Sequence, residues 1–199
     1  MGEATKKPFS IPLIAGAALI GLAGFVYVVL APPSKPAGAD LARFAQGAMA
    51  KLVVQAAPPV QPTGKFTDAE GKPRDLAAWR GKVVAVNFWA TWCAPCVKEM
   101  PTLAKLEREM GGADFAVVPI NFDRESDHDY AKRQIAELGG GVLPFYADPS
   151  FAVAFDTGAA GFPTTIIYSR AGKEVARLSG DADWSSAEAK ALIAAAVAQ

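Results

Sequence analysis

The chain has only two cysteines, Cys93 and Cys96, and they stand three residues apart at a strand-to-helix junction. Before them runs Val83-Val84-Ala85-Val86-Asn87-Phe88, short, apolar and β-branched, as a buried central strand requires. After them Val97, Met100, Leu103, Ala104 and Leu106 follow a helical period up to Gly111-Gly112. Two thiols at a helix start interconvert between dithiol and disulfide with little backbone motion. Cys93, at the N-terminal end, meets the unpaired amides and the positive end of the helix dipole, which favour its thiolate. Cys93 is therefore expected to be the attacking sulfur. Cys96, one turn inside, is expected to be more buried and to resolve the mixed disulfide. Pro95 lacks an N–H where the first turn needs none, and it stiffens the loop around Ala94. The competing readings are an inert buried disulfide and a metal half-site. The second finds no other ligand pair, since the chain has one histidine, His128.

A second feature sets the organisation of the chain. Between Lys7 and Lys35 no Asp, Glu, Lys or Arg occurs, and Ile11 to Ala31 is apolar apart from Pro12. Twenty-one helical residues at about 1.5 Å each reach the roughly 30 Å of a bilayer core. Residues 1–7 are expected as a cytoplasmic tail and 8–31 as a single transmembrane anchor. A cleaved signal peptide is the alternative, though its apolar region is usually about 7–15 residues. Paired Lys6-Lys7 favour an inside N-terminus and send the remainder across the membrane. Residues 32–57 read as a linker. It opens with Pro32-Pro33-Ser34-Lys35-Pro36 and holds a short amphipathic helix striped by Leu41, Phe44, Ala45, Ala48, Met49 and Leu52, with Asp40 as its cap. Such a stripe packs on the domain or rests on the membrane surface.

The compact domain is expected over residues 58–199. Its charge excludes one class of function. Removing residues 1–57 takes five basic and two acidic side chains from the twenty of each, leaving fifteen against eighteen and no basic run. Nucleic-acid binding has no electrostatic support. Further elements are a strand at Phe115 to Asn121 and a helix at Asp127 to Leu138, capped by Ser126 or Asp127 and stopped by Gly139-Gly140-Gly141. Then come a strand at Val142 to Tyr146, a hairpin of Thr164 to Tyr168 with Lys173 to Leu178, and a helix from Ser185 to Ala198. Alternating strands and helices closed by a hairpin indicate an α/β fold with a mixed sheet. Asp123 to Asp129, around His128, reads as an exposed polar helix start without chemistry. Trp89 and Trp92 flank the cysteines and are expected to shape a contact surface. Trp79 and Trp184 are expected to be packing residues.

The block Val86-Asn87-Phe88-Trp89-Ala90-Thr91-Trp92-Cys93-Ala94-Pro95-Cys96-Val97-Lys98-Glu99-Met100-Pro101 resembles the active-site block of membrane-anchored thioredoxin-like proteins of the TlpA/ResA/CcmG group. Similarity to the TlpA type continues through Phe115 to Asn121, the Gly161-Phe162-Pro163-Thr164 turn and Gly180-Asp181-Ala182-Asp183-Trp184, and so covers essentially the whole soluble domain. The resemblance implies a thioredoxin fold: a mixed central sheet flanked by helices, with a central helix-strand insertion at about Asp123 to Asp156 and a single N-terminal transmembrane helix before it. It implies a tethered thiol:disulfide oxidoreductase on the periplasmic side of a bacterial inner membrane. A cis-Pro163 loop would then lie beside the cysteines, and Trp92, Ala94, Pro95, Phe162 and Pro163 would meet the substrate chain. The expected catalytic residues are Cys93 and Cys96, with Glu99 as a third.

Glu99 enters because thioredoxins proper carry a buried aspartate where this chain has Asn87, which cannot titrate. Glu99 lies one turn beyond Cys96 on the same helix face, and relatives carry an acidic residue there with a proton-handling role. A solvated helix glutamate near Lys98 is the plain alternative. Pro101, inside the helix, is expected to kink it. No metal and no cofactor beyond a redox-active Cys93–Cys96 disulfide is expected. The implied partners are an upstream membrane thiol donor and client proteins with cysteine pairs: copper-site assembly proteins, oxidase subunits or apocytochrome c. A Cu(I) chaperone using the same two thiolates is the alternative function, weakened by the lack of Met-rich or histidine partners. A peroxidase reading lacks the proline-and-threonine approach to a single reactive cysteine.

Overall fold

The computed structural model describes residues 39–199. The expected cytoplasmic tail and the expected anchor over 8–31 lie outside the described residues. Among the described residues no helix is long and apolar enough to cross a membrane.

The strands are β1 (Leu52–Val54), β2 (Phe66–Asp68), β3 (Pro73–Arg74), β4 (Val83–Trp89), β5 (Phe115–Asn121), β6 (Tyr146–Ala147), β7 (Thr164–Tyr168) and β8 (Glu174–Ser179). The α-helices are α1 (Ala94–Met110), α2 (His128–Leu138), α3 (Ala152–Thr157) and α4 (Ala187–Val197). One mixed sheet runs in the order β1-β8-β7-β4-β5-β6-β2-β3. β4 is its centre, parallel to β5 from Val83↔Phe115 to Trp89↔Asn121 and antiparallel to β7 from Val84↔Tyr168 to Phe88↔Thr164. All seven β4 residues are buried, as a strand covered on both faces must be. Because strand side chains alternate, Val83, Ala85 and Trp89 join one core with α1 and α4, while Val84, Val86 and Phe88 join the other with Val153 and Ala154 of α3. Asn87 shares the α1 face. This parity decides which helix it meets.

The expected insertion carries α2, β6 and α3, and β6 extends the sheet beyond β5 to receive β2. The strand expected from Val142 is shorter than its apolar pattern suggested. Only Tyr146–Ala147 is paired, because Pro144 has no N–H to give a ladder. A 3₁₀ turn, Glu125–Asp127, precedes α2, and Asp127 makes no side-chain cap hydrogen bond.

Residues 39–57 of the stretch expected as a linker pack with the folded domain, and residues 32–38 lie outside the described residues. The expected amphipathic helix is instead two 3₁₀ turns, Ala39–Phe44 and Gly47–Met49, separated by Ala45 and extended Gln46, and the second opens on Gly47 at φ 54°, a left-handed value that an α-helix does not pass through. Asp40 sits within the first of them. The apolar stripe still reaches the core through Leu41, Met49 and Leu52, and β1 pairs with β8 at Leu52↔Leu178. Leu52→Ala is therefore expected to lower unfolding stability by about 2 kcal/mol, as a lost core leucine on a relaxing sheet edge. Urea denaturation checks this, and an unmoved midpoint would return the segment to a linker.

Candidate active site

β4 delivers the chain to the cysteines along a pinned path. The Trp89 carbonyl accepts from the Phe122 N–H at 3.0 Å. Two residues on, the Thr91 N–H donates to both carboxylate oxygens of Asp123, at 3.2 and 3.0 Å. Asp123 is itself buried and accepts from Asn121 Nδ2 at 2.8 Å. Reading Asp123 as part of an exposed polar stretch was thus wrong. It closes the β5 end against the loop before Cys93, and no local pattern signals it, since Thr91 lies 32 residues away. Trp89 also departs from expectation: it is fully buried in the core, which leaves Trp92, 66% exposed, as the surface tryptophan.

Cys93 is the N-cap of α1 in extended conformation, and its Sγ accepts from the Cys96 N–H at 3.3 Å. Cys93 and Cys96 form a disulfide with their Cα atoms 5.3 Å apart. Cys93 keeps 6% of its surface and Cys96 none. The order of accessibility matches expectation, yet Cys93 is a slot in the surface and not an open thiol. Ala94 and Pro95 are exposed, with the proline in the first turn. α1 continues through Pro101, which removes the hydrogen bond that the Val97 carbonyl would otherwise accept.

Phe162–Pro163 is a cis peptide. Thr164 pairs with Phe88, so this turn lies beside the end of β4, and the Phe162 ring meets Trp92 edge-on at 5.9 Å. The two loops that bracket the disulfide therefore touch.

Glu99 is 2% exposed, which excludes the solvated reading. Lys98 instead faces outward and pairs with Asp181 at 3.6 Å. Glu99 Oε1 accepts from Asn87 Nδ2 at 2.8 Å, and Oε2 accepts from the Ala182 N–H at 3.1 Å and from Trp184 Nε1 at 3.3 Å. Asn87 also donates to Thr165 Oγ1 at 2.9 Å, and its Oδ1 has no partner. Burial pushes the Glu99 carboxyl up to about 7; the bonds from Asn87, Ala182 and Trp184 oppose the rise and the Asp181 charge adds to it. Glu99 lies three residues after Cys96 on α1, so a buried carboxyl stands one helical turn from the inner cysteine. Trp184 fills the core as expected and also serves this carboxyl, a role its sequence context did not reveal.

The order of the sheet, the cysteines at the start of α1 and the cis-proline turn define a thioredoxin-like α/β fold. Residues 55–193 match the Redoxin family, and the chain belongs to it. It is 34% identical over 122 residues to the thiol:disulfide interchange protein HelX of Rhodobacter capsulatus, covering 61% of this chain and 62% of that one. It is 30% identical over 120 residues to the thiol-disulfide oxidoreductase ResA of Bacillus anthracis, covering 60% and 68%. The match thus spans about three-fifths of HelX's length. Among solved structures, a thiol:disulfide interchange protein of the thioredoxin family from Chlorobium tepidum superposes with a TM-score of 0.56 at 27% identity, over 72% of this chain and 99% of that one.

Proposed function

We propose that the chain is a thiol:disulfide oxidoreductase of the TlpA type, acting as a reductant of protein disulfides through a Cys93/Cys96 dithiol–disulfide cycle. The observation that carries this reading is the disulfide at the N-cap of α1, with its outer sulfur marginally accessible and its inner sulfur one turn from buried Glu99. The relatives' names supply the same reaction class.

In the reducing direction the Cys93 thiolate attacks one sulfur of a client disulfide. A mixed disulfide forms and a client thiolate leaves. The Cys96 thiolate then attacks the Cys93 sulfur, releasing the second client thiolate and closing the Cys93–Cys96 bond. Two electrons pass to the client, and the client sulfurs take up two protons. Glu99, ionised, can take the proton of Cys96 before that second attack; protonated, it can return one. Asn87 serves both states. Its Nδ2 donates to the carboxylate, and after a half-turn of the amide its unpartnered Oδ1 would accept from the acid.

The cycle needs only this redox-active disulfide and an upstream membrane thiol donor to reduce it. The apolar residues 8–31 support a tether in a bacterial inner membrane, with the domain in the periplasm and held close to that donor. The resemblance to the TlpA/ResA/CcmG group favours clients in respiratory oxidase or cytochrome c assembly: copper-site assembly proteins, oxidase subunits or apocytochrome c. A Cu(I) chaperone would use the same two thiolates; among the described residues no cluster of three or more His, Cys, Asp or Glu side chains that could hold a metal occurs. The deciding experiment is the reduction potential of the couple in glutathione or dithiothreitol buffers. We expect a value nearer about −270 mV than about −120 mV. A value at the upper end makes the protein an oxidant, and a tight stoichiometric Cu(I) complex without disulfide exchange makes it a chaperone.

A further inference from the structure

We propose that an aromatic strip running from Trp92 over Phe162 and Phe151 to Phe155 docks the client segment that carries the reacting disulfide, by taking an aromatic or branched apolar side chain of that segment. The inference rests on the reductase reading above and names the client chemistry that this site accepts.

The rings form one contiguous surface. Trp92 meets Phe162 at 5.9 Å, Phe162 meets Phe151 at 6.1 Å, and Phe151 meets Phe155 at 6.4 Å. Buried Phe122 lies beneath, stacked on Phe162 at 5.1 Å and tilted against Phe151 at 5.2 Å. The two ends are bare, with Trp92 66% and Phe155 78% exposed. Isolated exposed apolar side chains need no explanation, but a connected row that starts beside the reactive sulfur does. The far end is also held in place. Asp148 Oδ2 accepts from the Val153 N–H at 2.8 Å at the start of α3, and Arg177 donates to the Thr157 carbonyl at 3.0 Å at its end. Phe151 itself sits at φ 61°, a left-handed backbone that favours glycine and that costs a bulky side chain free energy. Glycine there would remove the ring that joins Phe162 to Phe155.

The occupant follows from the chemistry at the near end. In the mixed disulfide a client sulfur is bonded to Cys93 at about 2 Å, which sets the client chain against the exposed residues flanking Cys93, with Trp92 among them. The row of rings spans at most roughly 18 Å, about five residues of extended chain at some 3.3 Å each. An aromatic or branched apolar side chain within about five residues of the client cysteine therefore reaches the strip, where ring edges and faces receive it.

Two synthetic disulfide peptides test this, identical except for Phe or Ser four residues to either side of the cysteines. Wild-type protein is expected to reduce the Phe peptide with about tenfold higher kcat/KM, and Phe155→Ala is expected to cut that preference to about twofold while Phe155→Tyr keeps it. Equal handling of the two peptides by wild-type protein overturns the docking surface, and that comparison depends on no variant folding. Full preference in Phe155→Ala overturns it too. If wild-type protein reduces neither peptide, the reductase reading itself fails and takes the docking surface with it.

Discussion

Cys96→Ser is expected to accumulate mixed disulfides with client proteins, while Cys93→Ser accumulates almost none and loses disulfide exchange by at least about a thousandfold, as removal of a reaction's nucleophile does. The asymmetry follows from placement. Cys93 caps α1, where the free amides and the helix dipole stabilise a thiolate, and it alone of the pair keeps any surface. Cys96 is fully buried, so a client sulfur cannot reach it without a local rearrangement of the site. Removing Cys96 leaves the first attack intact and deletes the second, stalling the cycle at the covalent intermediate. Non-reducing electrophoresis with mass spectrometry of the adducts reads the result. Equal trapping by both variants would mean that either sulfur can attack, and the roles given to them would be wrong.

How much of this was legible in the sequence depended on how local the cause was. β4, α1 and β5 were read from periodicity because each is long, and a long apolar run or helical stripe repeats its own signal. β1, β2 and β3 were not, since two or three residues carry no period; β1 exists because Leu52 finds Leu178 across the chain. In the segment before β1 the apolar stripe held the buried Leu41, Met49 and Leu52 but also the exposed Ala45, and it missed the backbone, because Gly47 allowed a left-handed break that a stripe of apolar positions does not reveal. At the site, Cys93 and Cys96 declared themselves by spacing, and Glu99 by its position one turn further on. What made Glu99 a buried acid was unreadable, because the cover comes from Ala182 and Trp184, more than eighty residues later. Phe155 was unreadable for a similar reason: the exposed ring gains meaning only once α3 is placed beside the cis-proline turn.

Glu99→Gln is expected to change two pH profiles in directions the structure fixes. The folded carboxyl titrates at about 7 against 4.5 when solvated, because burial penalises its charge. Its raised value means that the folded chain still binds a proton that the unfolded chain has lost. Wild-type stability in the disulfide form therefore falls as pH rises from about 4.5 to about 7 and levels off above. Two and a half units at about 1.36 kcal/mol each make the loss about 3 kcal/mol. Gln removes the titration, so the stability difference between the two proteins should move by about that amount across the window. Gln also fits, since a turn of Asn87 would offer Oδ1 to its amide. In turnover, wild-type resolution of the mixed disulfide should rise through an apparent pKa near or above 7, displaced upward by any negative charge on Cys96. Without the carboxylate the variant must ionise buried Cys96 with no neighbouring proton acceptor, so its resolution rate is expected to fall roughly tenfold or more below wild type at about pH 7.5. Urea midpoints from about pH 4 to 8 and single-turnover rates from about pH 5 to 9 measure the two effects. Parallel stability curves would show that Glu99 does not hold its proton in the folded state, and matching rates would remove it from the proton path.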